Sequence, residues 1–456
     1  MTTSPPNDPD TRANLVSRLL RLAIEVRPDE VRALVWSWLY FFCVLSAYYV
    51  IRPIRDEAGV AGGVDNLPWL FTGTLVGMTI VNPPFAALVA RLPRVRFVSA
   101  AYRFFIANLL VFFLLLKTTT GAQNIWVGRV FFIWAAVFNL FVVSVFWAFM
   151  ADVFSRDQGK RLFGFIAAGG TLGGILGSSL TASLVAVVGS TSLLIVSAAL
   201  LELAVFSVRR LARHFEALRA GRAQQAQEQP IGGGVLSGIS HALKSPYLLN
   251  ISLYMLLYTI LSTFLYFQQA EMVNRSFVDR AARTAFFARI DLLVNILTLG
   301  IQTFLTGRIM RALGVALTLT LVPALSAAGF LAFGLAPTIA VIVWFQVLRR
   351  AGNFALARPS REVLFTVVPR EDKYKAKSFI DTFTYRAGDQ IGAWSYALMA
   401  LMGIGLVGTA FAAVPISVAW LLNGLWLGRR QERLASDQAR GQHHAPPVAA
   451  PALAPD

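Results

Sequence analysis

Residues 337–357 read PTIAVIVWFQVLRRAGNFALA. Apart from Thr338, Gln346, Asn353 and the pair Arg349-Arg350 the stretch is apolar, and its length matches the roughly 20 residues that cross a bilayer as a helix. A charge at bilayer depth is costly unless it faces a partner or a wet cavity, so an intramembrane charge marks a functional site by default. Further along, Arg386 and Asp389 interrupt another apolar run in the same way. The buried charges are mostly arginines, which points to a pathway for something negatively charged.

Twelve apolar segments of this kind lie near 33–51, 67–90, 97–116, 125–153, 162–188, 191–208, 247–269, 285–306, 314–335, 337–357, 376–402 and 404–427. Apolar residues make up 56% of the 456 and charged residues only 14%; mean hydropathy is +0.61. Such a composition belongs to an all-α, multi-span membrane protein rather than to two or three soluble domains. Cys43 is the single cysteine, which excludes an internal disulfide and any multi-cysteine metal site. His214, His241, His443 and His444 fall in connecting or tail segments, so neither a metal centre nor a cofactor is expected. The segment before the first apolar run is polar and proline-containing, without the apolar core and cleavage site of a signal peptide.

The formal charge of +17 suggests nucleic acid at first sight. Topology explains it better. With the N-terminus inside, most of the 41 Lys and Arg residues fall in cytoplasmic segments, which is the positive-inside asymmetry. An even span count returns the C-terminus to the cytoplasm. The expected location is the cell inner membrane. The expected partners are the lipid bilayer and a small anionic molecule, with no nucleic acid and no stable protein partner.

Residues 1–32 form an N-terminal cytoplasmic segment. Within it, 11–27 (TRANLVSRLLRLAIEVR) carries apolar residues at helical spacing with Arg12, Arg18, Arg21 and Arg27 between them. This reads as an amphipathic helix on the inner leaflet, or alternatively as a soluble lead-in. Pro28, Asp29 and Glu30 resemble a helix start. A six-helix half is expected over 33–208 and a second over 247–430. The cytoplasmic linker 209–246 between them is basic, then Gln/Ala-rich, then Gly-rich, and an Ala/Pro-rich tail over 431–456 is expected to be disordered.

The halves show a weak internal repeat. Ala90-Arg91-Leu92-Pro93-Arg94 matches Gly307-Arg308-Ile309-Met310-Arg311, and Lys160-Arg161-Leu162-Phe163 matches Ala376-Lys377-Ser378-Phe379. The two offsets agree to within a single position. Inner loops are basic anyway, so it is this agreement that carries the inference of duplication. Two parallel six-span halves are the plan of the major facilitator superfamily, in which substrate binds near the midplane between halves.

In the fifth span, Gly169, Gly173 and Gly177 are spaced four apart, as are Gly170, Gly174 and Ser178. No strand precedes them and no Gly-Lys-Ser/Thr follows, so this is not a phosphate-binding loop. It is a small-residue face for close helix approach; direct substrate contact is the alternative. In the eleventh span Asp381, Tyr385 and Asp389 share one stripe at about 100° per residue, with Ser378 and Thr382 beside it and Arg386 one step around. Arg386 and Asp389, three apart, can touch. The functional reading is an anion-binding arginine tuned by Asp389; the other is an ion pair that fixes packing.

The adjacent Arg349 and Arg350 point about 100° apart, so one can bind substrate while the other pairs with an acid. Arg358, Arg361 and Glu362 at the inner end are expected to snorkel. Asp291, Asn295, Thr298 and Gln302 share a stripe of the eighth span, which lines a cavity or bonds a neighbouring helix. Glu202 stands alone in the sixth span, as a proton carrier or the partner of an arginine on another helix. Arg103 and Arg129 read as anchors near span ends. Asn82-Pro83-Pro84 is expected to bend the second span. By composition, Tyr48-Tyr49-Val50-Ile51-Arg52-Pro53-Ile54-Arg55-Asp56-Glu57 is an outer interface belt followed by a proline break.

The element Arg52-x-x-Arg55-Asp56 resembles the Arg-x-x-Lys-Asp element of the ATP/ADP translocase-like nucleotide transporters, which share the major facilitator architecture. Phe146-Trp147-Ala148-Phe149-Met150-Ala151-Asp152, followed by Lys160-Arg161 and Phe163-Gly164, is similar to that family's fourth-to-fifth span region. The resemblance implies nucleotide exchange across a membrane, with basic cavity residues holding the phosphates. It places Arg55 where the family has a lysine and Asp56 at the neighbouring acid. Arginine is a rigid fork where lysine is a mobile point charge, a departure that leaves other phosphorylated or carboxylated solutes open.

The sequence therefore predicts a transporter of an organic anion that catalyses no chemistry. Arg55, Arg349, Arg350, Arg386, Asn295 and Tyr385 are expected at the substrate, with Asp56, Glu202, Asp291 and Asp389 coupling or gating. A proton-driven exporter of small organic compounds and a non-transporting sensor or assembly protein on a transporter fold are the alternatives.

Overall fold

Apolar runs fold as helices here because hydrocarbon offers no water to backbone N–H and C=O groups, and a helix satisfies them internally. The computed structural model describes residues 26–27, 30–91, 94–219, 245–368, 377 and 380–443, and these contain helices and no strand. The helices are α1 Val31–Ala61, α2 Leu67–Arg91, α3 Arg94–Thr118, α4 Gly121–Val153, α5 Arg156–Arg219, α6 Pro246–Ser276, α7 Arg280–Phe304, α8 Thr306–Leu335, α9 Ile339–Gly352, α10 Arg358–Leu364, α11 Tyr385–Leu401 and α12 Leu406–His443. π-Helical turns Asn353–Ala357 and Ile380–Thr384 join α9 to α10 and precede α11.

Within the described residues, each of the twelve expected spans falls on helix. The fifth and sixth are the two arms of α5, which breaks at Gly189, where φ is 78° and only glycine turns without strain. The tenth is α9, its π-turn and α10 together. Among the described residues, nine helical stretches are long and apolar enough to cross a membrane. Pro53, Pro83, Pro84, Pro323 and Pro415 all lie inside helices, which neighbouring helices and side chains make tolerable in a membrane.

Three expectations are corrected. The proline break after the first span does not occur: α1 runs through Pro53 to Ala61. The linker expected from 209 begins as helix, because α5 continues to Arg219 with Leu211 and Ala212 buried. The tail is helical as far as His443. The sequence QERLASDQAR at 431–440 is a good helix former, and prolines begin only at 446. Gln431 is buried, and Gln438 donates to the Val367 carbonyl at 3.1 Å. The amphipathic segment 11–25, Pro28, Asp29, linker residues 220–244 and tail residues 444–456 lie outside the described residues, as do Ser378 and the Thr382 side chain.

The chain forms two compact units, residues 1–230 with 266–299 and residues 231–265 with 300–456. In the first, α1 packs most extensively on α5, and the glycine stripe is the reason. A Cβ at Gly169 would stand 2.9 Å from the Trp38 carbonyl oxygen; at Gly173 and Gly177 it would run into the backbones of Phe42 and Ser46. The stripe is thus a close helix–helix seam. In the second unit, a Cβ at Gly388 or Gly392 of α11 would stand 3.1 Å from the carbonyl oxygen of Leu256 or Ile260 on α6. Gly388 and Gly392 follow Gly173 and Gly177 at close to the repeat offset read from the loops. The duplicated feature is therefore a packing seam.

Directly ahead of α1, Glu30 is buried. Its carboxylate accepts from Gln158 at 2.9 Å, from Arg161 at 2.9 Å and from the Arg27 backbone N–H at 3.1 Å. Burial pushes its pKa up, but these bonds and the Arg161 charge outweigh burial and hold it below the usual carboxylate value.

Candidate functional site

In the first unit the charges centre on the C-terminal part of α1. The Arg52 guanidinium lies 3.3 Å from Asp291 of α7 and 4.0 Å from Asp56, one helical turn on. Arg55 lies 3.9 Å from Asp56 and stacks on Phe132, 4.2 Å from the ring centroid. Tyr266 of α6 donates to Asp56 at 3.1 Å. Asp56 and Asp291 are buried. Asn295 is buried one turn beyond Asp291 and donates to its backbone carbonyl at 2.8 Å. Gly174 makes room for that amide: a Cβ there would stand 2.9 Å from Asn295 Oδ1.

These positions correct the interface-belt reading. The segment is aromatic and charged, as belts are, but its carboxylates are buried. Glu57 is fully buried and takes a two-pronged ion pair from Arg280 of α7, Nε–Oε1 at 3.0 Å and Nη2–Oε2 at 3.1 Å. Arg280 also donates to Asn124 at 2.7 Å. With Ala58, Thr120 and Asn124 it lines an open pocket of about 400 Å³.

In the second unit Arg349 is 2% exposed. Its Nε donates to Ser326 Oγ at 3.0 Å, and its Nη2 donates to Ser262 Oγ at 3.0 Å and to the Tyr258 carbonyl at 3.1 Å. The guanidinium also lies over the rings of Tyr258 and Trp420. Neutral oxygens and aromatic faces compensate this charge. Arg350 is half-buried. On α11, Arg386 pairs with Asp389 at 3.2 Å and lies over the half-buried Tyr385 ring; its side chain is 32% exposed.

Asp381 lies in the π-turn Ile380–Thr384, is exposed, and pairs with Arg361 at 3.5 Å. Thr298 is buried like Asp291 and Asn295, whereas Gln302 is exposed and donates to the Phe354 carbonyl within the π-turn of the tenth span. Glu202 pairs with Arg103 at 2.7 Å, and both side chains are half-exposed. Arg129 donates to the Gly62 carbonyl at 2.9 Å.

Sequence reasoning did not single out Tyr266, Arg280 or the Arg52–Asp291 pair. One local signal existed for Arg52, its four-residue spacing from Asp56. Chemically, the looser pairs are exchangeable: a phosphate or carboxylate can replace Asp56, Asp291 or Asp389 on its arginine through charge-assisted hydrogen bonds.

Fold and buried charges define the class, an all-helical multi-span membrane protein with the architecture of major facilitator transporters. A POT family transporter solved with a thioalcohol-conjugated peptide matches it with a TM-score of 0.59 at 10% identity, over 88% of this chain and 96% of that one. A bacterial homolog of the human lysosomal transporter Spinster, inward-facing and unoccupied, matches with a TM-score of 0.51 at 13% identity, over 93% and 100%. No family profile matches the chain. In sequence it is similar to ADP,ATP carrier protein 1 of Chlamydia muridarum (strain MoPn / Nigg), 20% identical over 93% of this chain and 94% of that protein. The protein of the same name from Chlamydia trachomatis serovar D is 20% identical over 89% of each. The resemblance drawn from residues 52–56 and 146–164 thus extends along nearly the whole chain.

Proposed function

We propose that the protein is an inner-membrane transporter, with both chain ends in the cytoplasm, that moves an organic anion by alternating access. A nucleotide or related phosphate compound is the first substrate to test. The observation that supports this most is the set of arginines inside apolar helices, Arg52 and Arg55 in one unit and Arg349, Arg350 and Arg386 in the other. Cations kept at that depth, against their solvation cost, suit a path for anions. The sequence likeness to proteins named ADP,ATP carriers supports the phosphate class.

In this reading Arg55 and Asn295 of one unit, and Arg350, Tyr385 and Arg386 of the other, are the residues that bind the solute's anionic group. Asp56, Asp291 and Asp389 hold the guanidinium groups until the solute displaces them. Arg349, already engaged by three neutral acceptors, fixes the helices behind the site. Glu202 belongs to the outward pair with Arg103. No chemistry is catalysed: the residues are cations and their carboxylates, without a nucleophile and its base.

The test is uptake of labelled nucleotides into proteoliposomes loaded with unlabelled nucleotide, alongside sugar phosphates and dicarboxylates. Exchange of one class, lost in Arg55→Ala and in Arg386→Ala, is the expected result. Uptake indifferent to both substitutions would remove these arginines from the site, and uptake of uncharged compounds alone would remove the anion.

A further inference from the structure

Arg103 on α3 and Glu202 on the second arm of α5 form a two-pronged ion pair, Nη2–Oε1 at 2.7 Å and Nε–Oε2 at 3.4 Å. Unlike the other interior pairs, both members are exposed, at 48% and 50%. They lie inside the apolar stretches Val95–Thr118 and Arg161–Arg213. Their neighbours Phe104, Leu203 and Phe206 are exposed apolar side chains. The inner-end arginines of the two helices, Arg96 and Arg209, each lie two turns away along the chain. At 1.5 Å per residue the pair therefore sits about 10 Å deeper than the basic inner margin. Acyl chains offer nothing to an exposed ion pair at that level. The bonds to Glu202 use Nε and Nη2, which leaves the two Nη1 hydrogens for a further acceptor.

We propose that a second copy of the chain covers this face, in a parallel dimer about a two-fold axis along the membrane normal. Charge and depth carry the argument. Two copies inserted in the same orientation keep each residue at its own depth, so the axis brings the Arg103–Glu202 pair of one copy opposite that of the other. The patch holds one positive and one negative group at one level and is therefore complementary to itself, as an isologous interface requires. Four charges then alternate around the axis, and each guanidinium gains a second carboxylate. Any other protein would need its own opposite charges at that depth. Phe104, Leu203 and Phe206 surround the charges with apolar contact, and Arg210 stacks on Phe206 at 5.0 Å.

Cysteine cross-linking tests this cleanly, because Cys43, the only native cysteine, is buried. Leu203→Cys places a thiol beside Glu202; Leu398→Cys, 56% exposed on α11, is the control. In dilute proteoliposomes under mild oxidation, the first should give a disulfide-linked dimer and the second should not. Arg103→Glu added to Leu203→Cys brings four carboxylates together and should abolish the dimer band; Glu202→Arg added to that variant should restore it. The unsubstituted chain, measured by native mass spectrometry from bilayers, should have the mass of two copies, a readout that needs no variant to fold. A single-copy mass would overturn the dimer, and a phospholipid retained on that single copy would assign the face to lipid. Cross-linking at Leu203→Cys no stronger than at Leu398→Cys, or unchanged by Arg103→Glu, would overturn it equally.

Discussion

Gly173→Ala tests the seam that builds the first unit. A Cβ at Gly173 would stand 3.1 Å from both the carbonyl carbon and the Cα of Phe42, with the carbonyl oxygen nearer still. Ordinary carbon contacts lie at about 3.5–4.0 Å, so α1 and α5 must part by at least about 0.5 Å. Backbone cannot step aside as a rotamer can. The shift also loosens the contacts of Gly169 with Trp38 and of Gly177 with Ser46, one turn away on either side. Overpacking of this kind costs about 1–3 kcal/mol, and the gain in helix propensity from Gly to Ala returns about 1 kcal/mol. Gly164 lies on the same helix, and a Cβ there would meet nothing within 4 Å. Gly164→Ala should therefore stabilise by up to about 1 kcal/mol, and the two variants should differ by the overpacking cost, roughly 1–3 kcal/mol. Cys43, buried on α1 beside Phe42, supplies the assay: a thiol-reactive dye reports the temperature at which it becomes accessible. If Gly173→Ala melts at or above Gly164→Ala, the seam is not close-packed and the argument fails.

Three further outcomes follow from the charges. Arg52→Ala should destabilise by up to about 3–5 kcal/mol, because it removes the cation 3.3 Å from the buried Asp291, and Asp291→Ala should cost less, because Arg52 keeps Asp56 at 4.0 Å; in a double-mutant cycle the pair together should cost clearly less than the sum, and additivity would mean that they do not interact. Glu30 has a folded pKa held below its usual value, so its contribution to stability is full above that value and is lost as pH falls through the folded one. Glu30→Gln should flatten the acid limb of a melting-temperature profile below about pH 4.5 and lower stability at neutral pH. Arg349→Lys should destabilise, because an ammonium cannot span Ser326, Ser262 and Tyr258 as the planar fork does. Loss of one charge-assisted bond predicts about 1.5–3 kcal/mol in thermal unfolding.

What was legible in the sequence was local. Span positions follow from apolar length and the placement of Lys and Arg, and all twelve fall on helix within the described residues. The glycine spacing identified a seam, and the three-residue spacing of Arg386 and Asp389 identified a pair. Partnerships between distant spans were not legible. Tyr266 is 210 residues from Asp56, and Arg280 is 223 from Glu57. Which faces meet depends on the rotation of each helix, and composition is silent about that. The C-terminal end of α1 was misread for the same reason: aromatics, arginines and a proline look alike whether they meet water or another helix. Nor did the stripe show that Asp381 pairs with Arg361, 20 residues back in the sequence. The last helix was cut short because alanine and proline were read together, although alanine favours a helix and proline ends one.

The internal repeat explains why the fold was easier to read than the site. Gly173 and Gly177 have counterparts in Gly388 and Gly392, and the backbones they approach, at Phe42 and Ser46, have counterparts at Leu256 and Ile260. The offsets of the two sets agree to within a single position. Applied to the charged positions, the same offsets match Arg52 with Tyr266 and Arg55 with Gln269, and they match Arg386 with Thr171 and Asp389 with Gly174. The frame is duplicated and these four charges are not, whereas Glu57 meets a glutamate, Glu271, at the same offset. One half places its cations on the first helix of the seam, and the other half places one on the second. Duplication fixes where helices touch, because a glycine seam admits no larger residue on either side of the repeat. It leaves the wet positions free to diverge. A charged position that breaks the repeat is therefore a stronger mark of function than one that obeys it, and Arg52, Arg55, Arg386 and Asp389 all break it.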